Sequence, residues 1–207
     1  MTDLILVRHG ETVWHAENRY AGRSDVALTA RGHEQAAALA DWSRTADLTG
    51  VWSSPLSRAR LTAALAAQAN GLAHRLDERL RELDFGKGEG MTRAEMREAF
   101  PDLLDAFLAD PDTHHLPGGE APGAAADRAS ACLAEMAAAH PDGRILVVAH
   151  STLLRLLLCR HLGIPLSAYR TAFPQLHNTA LTVLRLKDGR ASLLCLNVPL
   201  PARTAHS

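Results

Sequence analysis

Two basic side chains follow a short apolar stretch near the start of the chain. Residues 4–7 are four consecutive apolar residues, and Arg8, His9 and Gly10 come directly after them. This pattern predicts a buried strand that ends in a polar turn. Ligands of open α/β sheets bind beyond the carboxyl ends of the strands, so Arg8 and His9 are well placed for an anion such as a phosphate ester. Taken alone, the pair is explained more simply by a strand that stops at a charged surface turn.

A second histidine and a second arginine occupy comparable positions later in the chain. Residues 145–149 are typical of a fully buried strand, and His150 follows them as His9 follows the first strand. Arg58 falls on the first turn of a predicted helix, where backbone N–H groups favour anions. By themselves, Arg58 is more simply a solvated helix residue and His150 a buried structural histidine.

Four segments that contain these residues resemble, in the same order, the histidine phosphatase superfamily of phosphoglycerate-mutase-like proteins. They are Arg8-His9-Gly10-Glu11-Thr12, Ser53-Ser54-Pro55-Leu56-Ser57-Arg58-Ala59, Leu80-Arg81-Glu82-Leu83-Asp84-Phe85-Gly86 and Val147-Val148-Ala149-His150. Lesser matches at residues 28–32, 35–36 and 117–120 extend the resemblance over nearly the whole chain. One short match would be weak evidence, whereas four in order favour an enzyme of this family.

The chemistry of phosphoryl transfer fits the matched residues. A covalent route needs a nucleophile that is unprotonated near neutral pH, and imidazole, with a pKa of about 6.5, qualifies. His9 is the candidate nucleophile, and we expect its other nitrogen to donate to a backbone carbonyl of the adjoining turn. The transferred group spreads negative charge over its oxygens, so cations must clamp it. The resemblance assigns that clamp to Arg8, Arg58 and His150.

The resemblance places a general acid at Glu82. A leaving alkoxide is strongly basic and needs a proton, and burial would raise the pKa of Glu82 enough to keep it protonated. Two alternatives stay open at this point. Glu82 could form a salt bridge with Arg79 or Arg81, or Asp84 could be the donor.

A further group of residues, at family positions near the site, is expected to bind the substrate. These residues are Thr12, His15, Gly22, Ser151 and Asn178. The family usually has Asn at the position of His15, so the charge here would depend on pH. It usually has Trp at the position of Gly88, which we expect near the substrate entrance, and Gly-Gly at the position of Ser151 and Thr152. These departures leave the substrate open.

Other classes of function are less well supported. The eleven histidines could serve a metal hydrolase, but none lies in a compact ligand pattern such as His-Glu-x-x-His. We therefore expect no metal and no cofactor. A non-catalytic module that binds a phosphorylated ligand is a second alternative, and retention of His9, Arg58 and Glu82 argues against it.

The resemblance covers both phosphatases and phosphoglycerate mutases. A mutase must keep water away from its phosphoenzyme. After Glu82 this chain lacks the Arg-His-Tyr-Gly continuation of the family's mutases, and Ala21 replaces their hydroxyl residue. The sequence thus predicts a metal-independent phosphomonoesterase that acts on small phosphorylated metabolites through a phosphohistidine at His9. A cofactor-dependent phosphoglycerate mutase is the alternative.

Composition is typical of a globular protein. Of 207 residues, 47% are hydrophobic and 22% charged, and the formal net charge of -1 argues against a nucleic-acid partner. The three cysteines indicate no disulfide framework. The apolar stretch before Arg8 has only four residues, too few for the core of a secretory signal. The apolar run at residues 153–162 is too short to span a bilayer. We expect a cytoplasmic protein without a membrane partner, and leave open whether it forms a homodimer.

The predicted elements place these side chains on an α/β fold. Strands are expected at residues 4–7, 51–53, 72–76 and 145–149, with a terminal hairpin at 181–186 and 192–196. Helices are expected after Thr29 to about residue 42 and at 56–69, 92–100, 103–108 and 124–140, and from residue 153 onward. Strands that alternate with helices favour a three-layer α/β/α arrangement around a mostly parallel sheet. We expect one domain over residues 1–207, with a lid-like insertion at about 92–123 in which Gly118 and Gly119 approach the ligand.

Overall fold

A mixed six-stranded sheet forms the centre of the computed structural model, which describes residues 1–200. Its strands are β1 Thr2–Arg8, β2 Gly50–Ser53, β3 His74–Leu76, β4 Arg144–Ala149, β5 Leu181–Lys187 and β6 Arg190–Val198. They lie side by side in the order β3-β2-β4-β1-β5-β6. The first four strands in that order run parallel, whereas β5 is antiparallel to β1, and β6 to β5. The mostly parallel sheet and the terminal hairpin are confirmed.

Helices cover both faces of this sheet. They are α1 Ala30–Ser43, α2 Ser57–Ala69, α3 Arg93–Ala99, α4 Pro101–Ala109, α5 Pro122–Ala139, α6 Ser151–Leu162 and α7 Tyr169–Ala172. Short 3-10 helices occupy Val13–His15, Glu78–Leu80, Gly86–Gly88 and Leu166–Ala168. The α/β class predicted from the alternation of strands and helices is confirmed.

The apolar run of β1 is continuous because both of its faces are buried. Leu4 and Leu6 pack in a core with side chains of α3 to α6, whereas Ile5 and Val7 pack in a second core with α1 and α2. Successive residues of a strand point to opposite faces, so a strand between two helical layers needs apolar residues at every position.

Several predicted boundaries of helices and strands differ from those in the structure, and contacts at the helix ends account for the differences. α6 begins at Ser151, earlier than the predicted residue 153, and therefore follows the end of β4 directly. α2 begins at Ser57, and its first N–H, expected to be unpaired, donates to the carboxylate of Asp25 at 2.8 Å. β3 is shorter than predicted because Leu72 N–H donates to Ala67 C=O and closes the end of α2. The first N–H of α2 is thus occupied by a carboxylate of the protein itself.

The segment predicted as a lid, residues 92–123, contains α3, α4 and the first two residues of α5. Thr92 and Glu95 form the capping box that the sequence predicts for α3. Met96, Leu104 and Phe107 are buried in the larger core, which anchors α3 and α4 to the rest of the chain. Motion of this segment as a lid stays a prediction. None of the helices within residues 1–200 is long and apolar enough to cross a membrane.

Candidate active site

A cavity of about 450 Å³ opens beyond the carboxyl ends of β1 and β4. Six of the predicted site residues line it: Arg8, His9, Thr12, His15, Glu82 and Ser151. The other four, Arg58, His150, Gly22 and Asn178, are not among its lining residues. The fold therefore exposes part of the predicted set to the cavity and places the rest behind it.

His9 is fixed in one tautomer by its own turn. Its Nδ1 lies 2.7 Å from the Gly10 carbonyl oxygen and donates to it, as the sequence predicts. The ring proton therefore resides on Nδ1, and Nε2 keeps its lone pair. Burial lowers the pKa of His9 well below its ordinary value, and the charges of Arg58 and Arg8 lower it further. His9 is consequently neutral near neutral pH, as a nucleophile must be.

The backbone around His9 is held on several sides. Its N–H donates to Ala149 C=O at 3.0 Å and its carbonyl accepts from the amide of Asn178 at 2.7 Å. The N–H of Gly10 donates to the hydroxyl of Thr62 in α2 at 3.0 Å. Asn178 thus positions His9 from behind. Thr62 was not found in the sequence because nothing local marks a threonine inside a helix as a partner of a distant turn.

Arg8 and His15 form a pair at the wall of the cavity. Arg8 Nη2 donates to His15 Nε2 at 2.7 Å, and Arg8 Nη1 donates to Leu176 C=O at 2.9 Å. Burial, followed by the positive charge of Arg155, lowers the pKa of Arg8 to about 10, so it stays charged at neutral pH.

His15 is neutral in this arrangement. Its Nε2 accepts from Arg8, so its Nδ1 carries the ring proton and donates to the Thr12 hydroxyl at 2.8 Å. Burial lowers its pKa to about 4, with a further contribution from the charge of Arg8. A pH-dependent charge was expected at this position, and the structure moves that dependence to acid pH.

Arg58 is completely buried and bonds to a loop. Its Nη1 donates to Ser24 C=O at 2.7 Å, and its Nη2 donates to the carbonyls of Ala21 and Gly22 at 3.0 and 2.8 Å. It also supplies positive potential, since its charge lowers the pKa of His9. In this structure Arg58 therefore positions loop 21–24 and contributes charge without reaching the cavity surface.

His150 has two buried ring nitrogens with no hydrogen-bond partner within residues 1–200. Its ring centroid lies 5.2 Å from that of His9. Buried polar atoms are nearly always hydrogen-bonded, so an orphaned imidazole beside a candidate nucleophile marks a place for a polar ligand atom. Burial, then the charge of Arg58, lowers the pKa of His150 well below its ordinary value.

Glu82 is buried against the start of α6. Its Oε1 accepts from the N–H groups of Leu83 and Leu153, both at 2.8 Å, and its Oε2 accepts from Thr152 N–H at 2.9 Å. Burial raises its pKa, although the three N–H donors act in the opposite direction. Glu82 therefore lines the cavity as a carboxyl group whose proton is held more tightly than usual and whose ionised form has donors in place.

Of the two alternatives for Glu82, the salt bridge with Arg79 or Arg81 is wrong, whereas a donor role for Asp84 is not tested. Arg79 pairs with Asp77 and Glu135, and Arg81 pairs with Glu78, so neither bridges to Glu82. Asp84 does not line the cavity, because its carboxylate binds Arg23 and the N–H of Gly86.

Comparison with known proteins decides the family. The model of the histidine phosphatase superfamily, branch 1, matches residues 4–199. This chain belongs to the histidine phosphatase superfamily. Its α/β fold is that of the superfamily, and the protein is a phosphatase of the histidine phosphatase type.

Relatives of known name include both phosphatases and a mutase. Phosphoserine phosphatase 1 of Hydrogenobacter thermophilus is 32% identical and covers 96% of this chain and 93% of its own length. A probable phosphoglycerate mutase, GpmB, of Salmonella choleraesuis is 37% identical over 82% of this chain and 79% of its own length.

Solved structures of the superfamily superpose closely on the chain. YhfR of Bacillus stearothermophilus has a TM-score of 0.90 at 28% identity, covering 96% of this chain and 98% of that one. A mycobacterial glucosyl-3-phosphoglycerate phosphatase in complex with VO3 has a TM-score of 0.86 at 30% identity, covering 95% and 99%.

Two side chains, Arg128 and Glu120, support Glu82 in this histidine phosphatase, and this role was not identified from the sequence. Arg128 of α5 holds both carboxylate oxygens of Glu120 at 2.7 and 2.8 Å and donates to the backbone carbonyls of Arg79 and Glu82. Glu120 thus acts on Glu82 through Arg128. No local pattern distinguishes Arg128 from an ordinary exposed helix arginine.

The predicted locations of Gly88 and of Gly118 with Gly119 at the substrate cavity are wrong. Gly88 was expected at the substrate entrance, but it is buried, and a Cβ there would lie 2.5 Å from Leu116 Cδ1. Gly119 packs on the backbone of Asp84 and Gly86, and neither Gly118 nor Gly119 lines the cavity. Gly88 and Gly119 therefore lie where the chain packs too closely against itself for a side chain.

Within residues 1–200 no group of three or more His, Cys, Asp or Glu side chains could hold a metal ion. Metal-independent turnover stays a prediction.

Proposed function

We propose that this histidine phosphatase is a phosphomonoesterase that passes the phosphoryl group of a small phosphorylated metabolite to His9 and then to water. One observation carries the proposal. The Gly10 carbonyl fixes the proton of His9 on Nδ1 and leaves Nε2 unprotonated beside the orphaned ring of His150.

The first step forms a phosphohistidine. Nε2 of His9 attacks phosphorus, the ester P–O bond breaks, and Glu82 gives its proton to the departing alkoxide oxygen. The raised pKa of Glu82 supports this role, and the N–H groups of Leu83, Thr152 and Leu153 stabilise the carboxylate that remains.

The second step returns His9. The ionised Glu82 takes a proton from water, the water oxygen attacks phosphorus, and the N–P bond breaks to release orthophosphate. Throughout both steps Arg8 and Arg58 supply positive charge, and His150 offers an unpaired ring nitrogen to the phosphoryl oxygens.

Rapid quench with a substrate labelled in its phosphoryl group tests the proposal. We expect an acid-labile, alkali-stable label on wild-type protein and none on His9→Ala. His114→Ala, which removes an exposed histidine outside the cavity, is the matched control and should keep the label. Label that persists in His9→Ala would refute the assignment of the nucleophile.

A phosphoglycerate mutase is the second candidate, favoured by the 37% identity to the probable mutase. Both activities share the first half-reaction and differ in whether water reaches the phosphoenzyme. The deciding assay supplies 3-phosphoglycerate with a trace of 2,3-bisphosphoglycerate and follows 2-phosphoglycerate and orthophosphate. Efficient isomerisation with little orthophosphate would overturn the phosphatase.

A further inference from the structure

Two arginines that the phosphoryl chemistry does not use line the same cavity as His9. Arg155 lies on α6 and Arg170 on α7. We call them the arginine pair. Neither forms a salt bridge with a carboxylate of residues 1–200.

Arg155 is half-buried and incompletely satisfied. Its Nη2 donates to Pro174 C=O at 3.0 Å, while its buried Nε has no partner within the described residues. Burial lowers its pKa, and the positive charge of Arg170 lowers it further. The two guanidinium groups therefore repel each other, while Tyr169 and Glu82 act on the pKa of Arg155 in the opposite direction without forming a salt bridge with it.

Arg170 is held in place by aromatic rings. Its guanidinium carbon lies 4.4 Å from the ring centroid of Phe107 and 4.8 Å from that of Tyr169. Cation–π contacts fix the orientation of the group without neutralising its charge. Arg170 is thus a preorganised cation at the cavity.

The other arginines at this cavity differ in their partners, since Arg8 and Arg93 form no salt bridge with a carboxylate of residues 1–200 either. Arg19, which lines the same cavity, is paired with Glu17 and Glu95, and Arg128 is paired with Glu120. A partly desolvated cation without a partner is unfavourable, and an anionic ligand would relieve the cost. Because no carboxylate of residues 1–200 lies within salt-bridge distance of the arginine pair, an anion supplied by the substrate can bind there.

The arginine pair is separate from the groups that face the phosphoryl group but lies close to them. The charge of Arg155 lowers the pKa of Arg8, so it acts within electrostatic range of the nucleophile's pocket. A substrate bound at His9 can therefore place another part of itself at the arginine pair.

We propose that Arg155 and Arg170 form a specificity subsite for a second anionic group, a carboxylate or a phosphate, on the substrate. The proposal rests on the phosphomonoesterase function and narrows it to acidic phosphomonoesters. Guanidinium groups bind both kinds of anion, so the chemistry they share defines the subsite.

Matched substrate pairs test the proposal. 3-Phosphoglycerate differs from glycerol 3-phosphate by a carboxylate, and 1,3-propanediol bisphosphate differs from its monophosphate by a phosphate. We expect the kcat/KM of the wild-type enzyme to be about tenfold or more higher for the acidic member of at least one pair, the gain of one or two charged hydrogen bonds. The pair that shows the preference identifies the anion.

Arginine variants assign the preference to residues. Arg155→Gln and Arg170→Gln should each lower kcat/KM for the acidic substrate about tenfold more than for its partner. Arg155→Lys keeps the charge and should retain part of the preference. Arg160→Gln is the matched control on α6, because Arg160 pairs with Asp127 outside the cavity, and it should leave the ratio unchanged.

Binding to His9→Ala separates this proposal from the proposed function. Calorimetry should show that the acidic member of at least one pair binds more tightly: 3-phosphoglycerate than glycerol 3-phosphate, or the propanediol bisphosphate than the monophosphate. Adding Arg155→Gln to His9→Ala should remove this difference in affinity. Equal affinities in both pairs, or a preference that survives both glutamine variants, would overturn the subsite. Preferential binding without hydrolysis by the wild type would instead overturn the phosphomonoesterase and leave the subsite standing.

Discussion

At the scale of single residues, the proposed function needs two buried groups in their neutral forms. His9 must be unprotonated, and burial together with Arg8 and Arg58 lowers its pKa. Glu82 must carry a proton, and burial raises its pKa against three N–H donors. Desolvation favours the neutral form of both groups, so burial in the same pocket suits both an unprotonated nucleophile and a protonated acid.

Replacing Glu82 with Gln tests the acid. Hydrolysis of an alkyl phosphate should slow by about 10²-fold or more, while nitrophenyl phosphate, whose leaving group needs little protonation, should be affected far less. Steady-state rates on the two substrates give the comparison. Glu78→Gln removes a nearby exposed acid outside the cavity and serves as control. Equal losses on both substrates would assign Glu82 another role.

Protonation of His15 predicts how stability depends on pH. Its pKa is about 4 in the folded protein, below its unfolded value of about 6.5, so the unfolded chain binds the extra proton between these values. The free energy of unfolding should therefore fall as pH falls from about 6.5 to about 4. Urea denaturation at a series of pH values measures the slope of the free energy of unfolding against pH. This slope should be smaller in His15→Asn than in the wild type, by up to about 1.4 kcal/mol per pH unit. An identical slope in the variant would contradict the neutral His15.

At the scale of elements, the site depends on connections between the end of one element and the start of another. Glu82 accepts from the first turn of α6, and Arg58 of α2 binds the carbonyls of loop 21–24. These contacts set the positions of the helix start and the loop relative to His9. A change in how they pack should therefore disturb both stability and activity.

Gly22 offers a test of this packing. A Cβ at this position would lie 2.0 Å from Glu89 Oε1 and 2.4 Å from Leu83 C=O, so loop 21–24 would have to move. Gly22→Ala should lower the free energy of unfolding by about 1–3 kcal/mol, as overpacking does, and lower activity as well. Gly123→Ala adds the same methyl group in open space in α5 and should cost neither. Thermal or urea unfolding of the two variants gives the comparison, and equal stability would contradict the tight packing.

At the scale of the whole molecule, sheet order brings distant residues together. β1 lies next to β4, with Arg8 in register with Ala149, so His9 and His150 follow adjacent strands in the same direction. Their ring centroids are 5.2 Å apart although the residues are far apart in the chain. The start of α6 reaches the same point because that helix follows β4 directly.

The protein's own cations predict turnover without a metal. The charges of Arg58 and Arg8 act on His9, so the protein itself supplies positive potential where a phosphoryl group would lie. Hydrolysis of an aryl phosphate should therefore survive prolonged treatment with a chelator, within about twofold of the untreated rate. Loss of activity on chelation, with recovery on addition of a divalent ion, would contradict this prediction and favour a metal hydrolase.

The sequence by itself determined the α/β class, most helix positions and the local contacts at the end of β1, while the roles of the site residues stay predictions. Local physics sufficed for these results, because apolar periodicity reports burial, Thr92 and Glu95 form a local capping box, and the turn after β1 supplies the acceptor for His9 Nδ1. Only the tertiary structure decided that Arg58 is committed to a loop, that Gly88 is buried, and that Arg128 supports Glu82. These facts depend on which distant atoms approach one another, and no spacing along the chain encodes that approach. The same reason hides the arginine pair in the sequence, since an arginine without an acidic partner is recognised only when all of its neighbours are known.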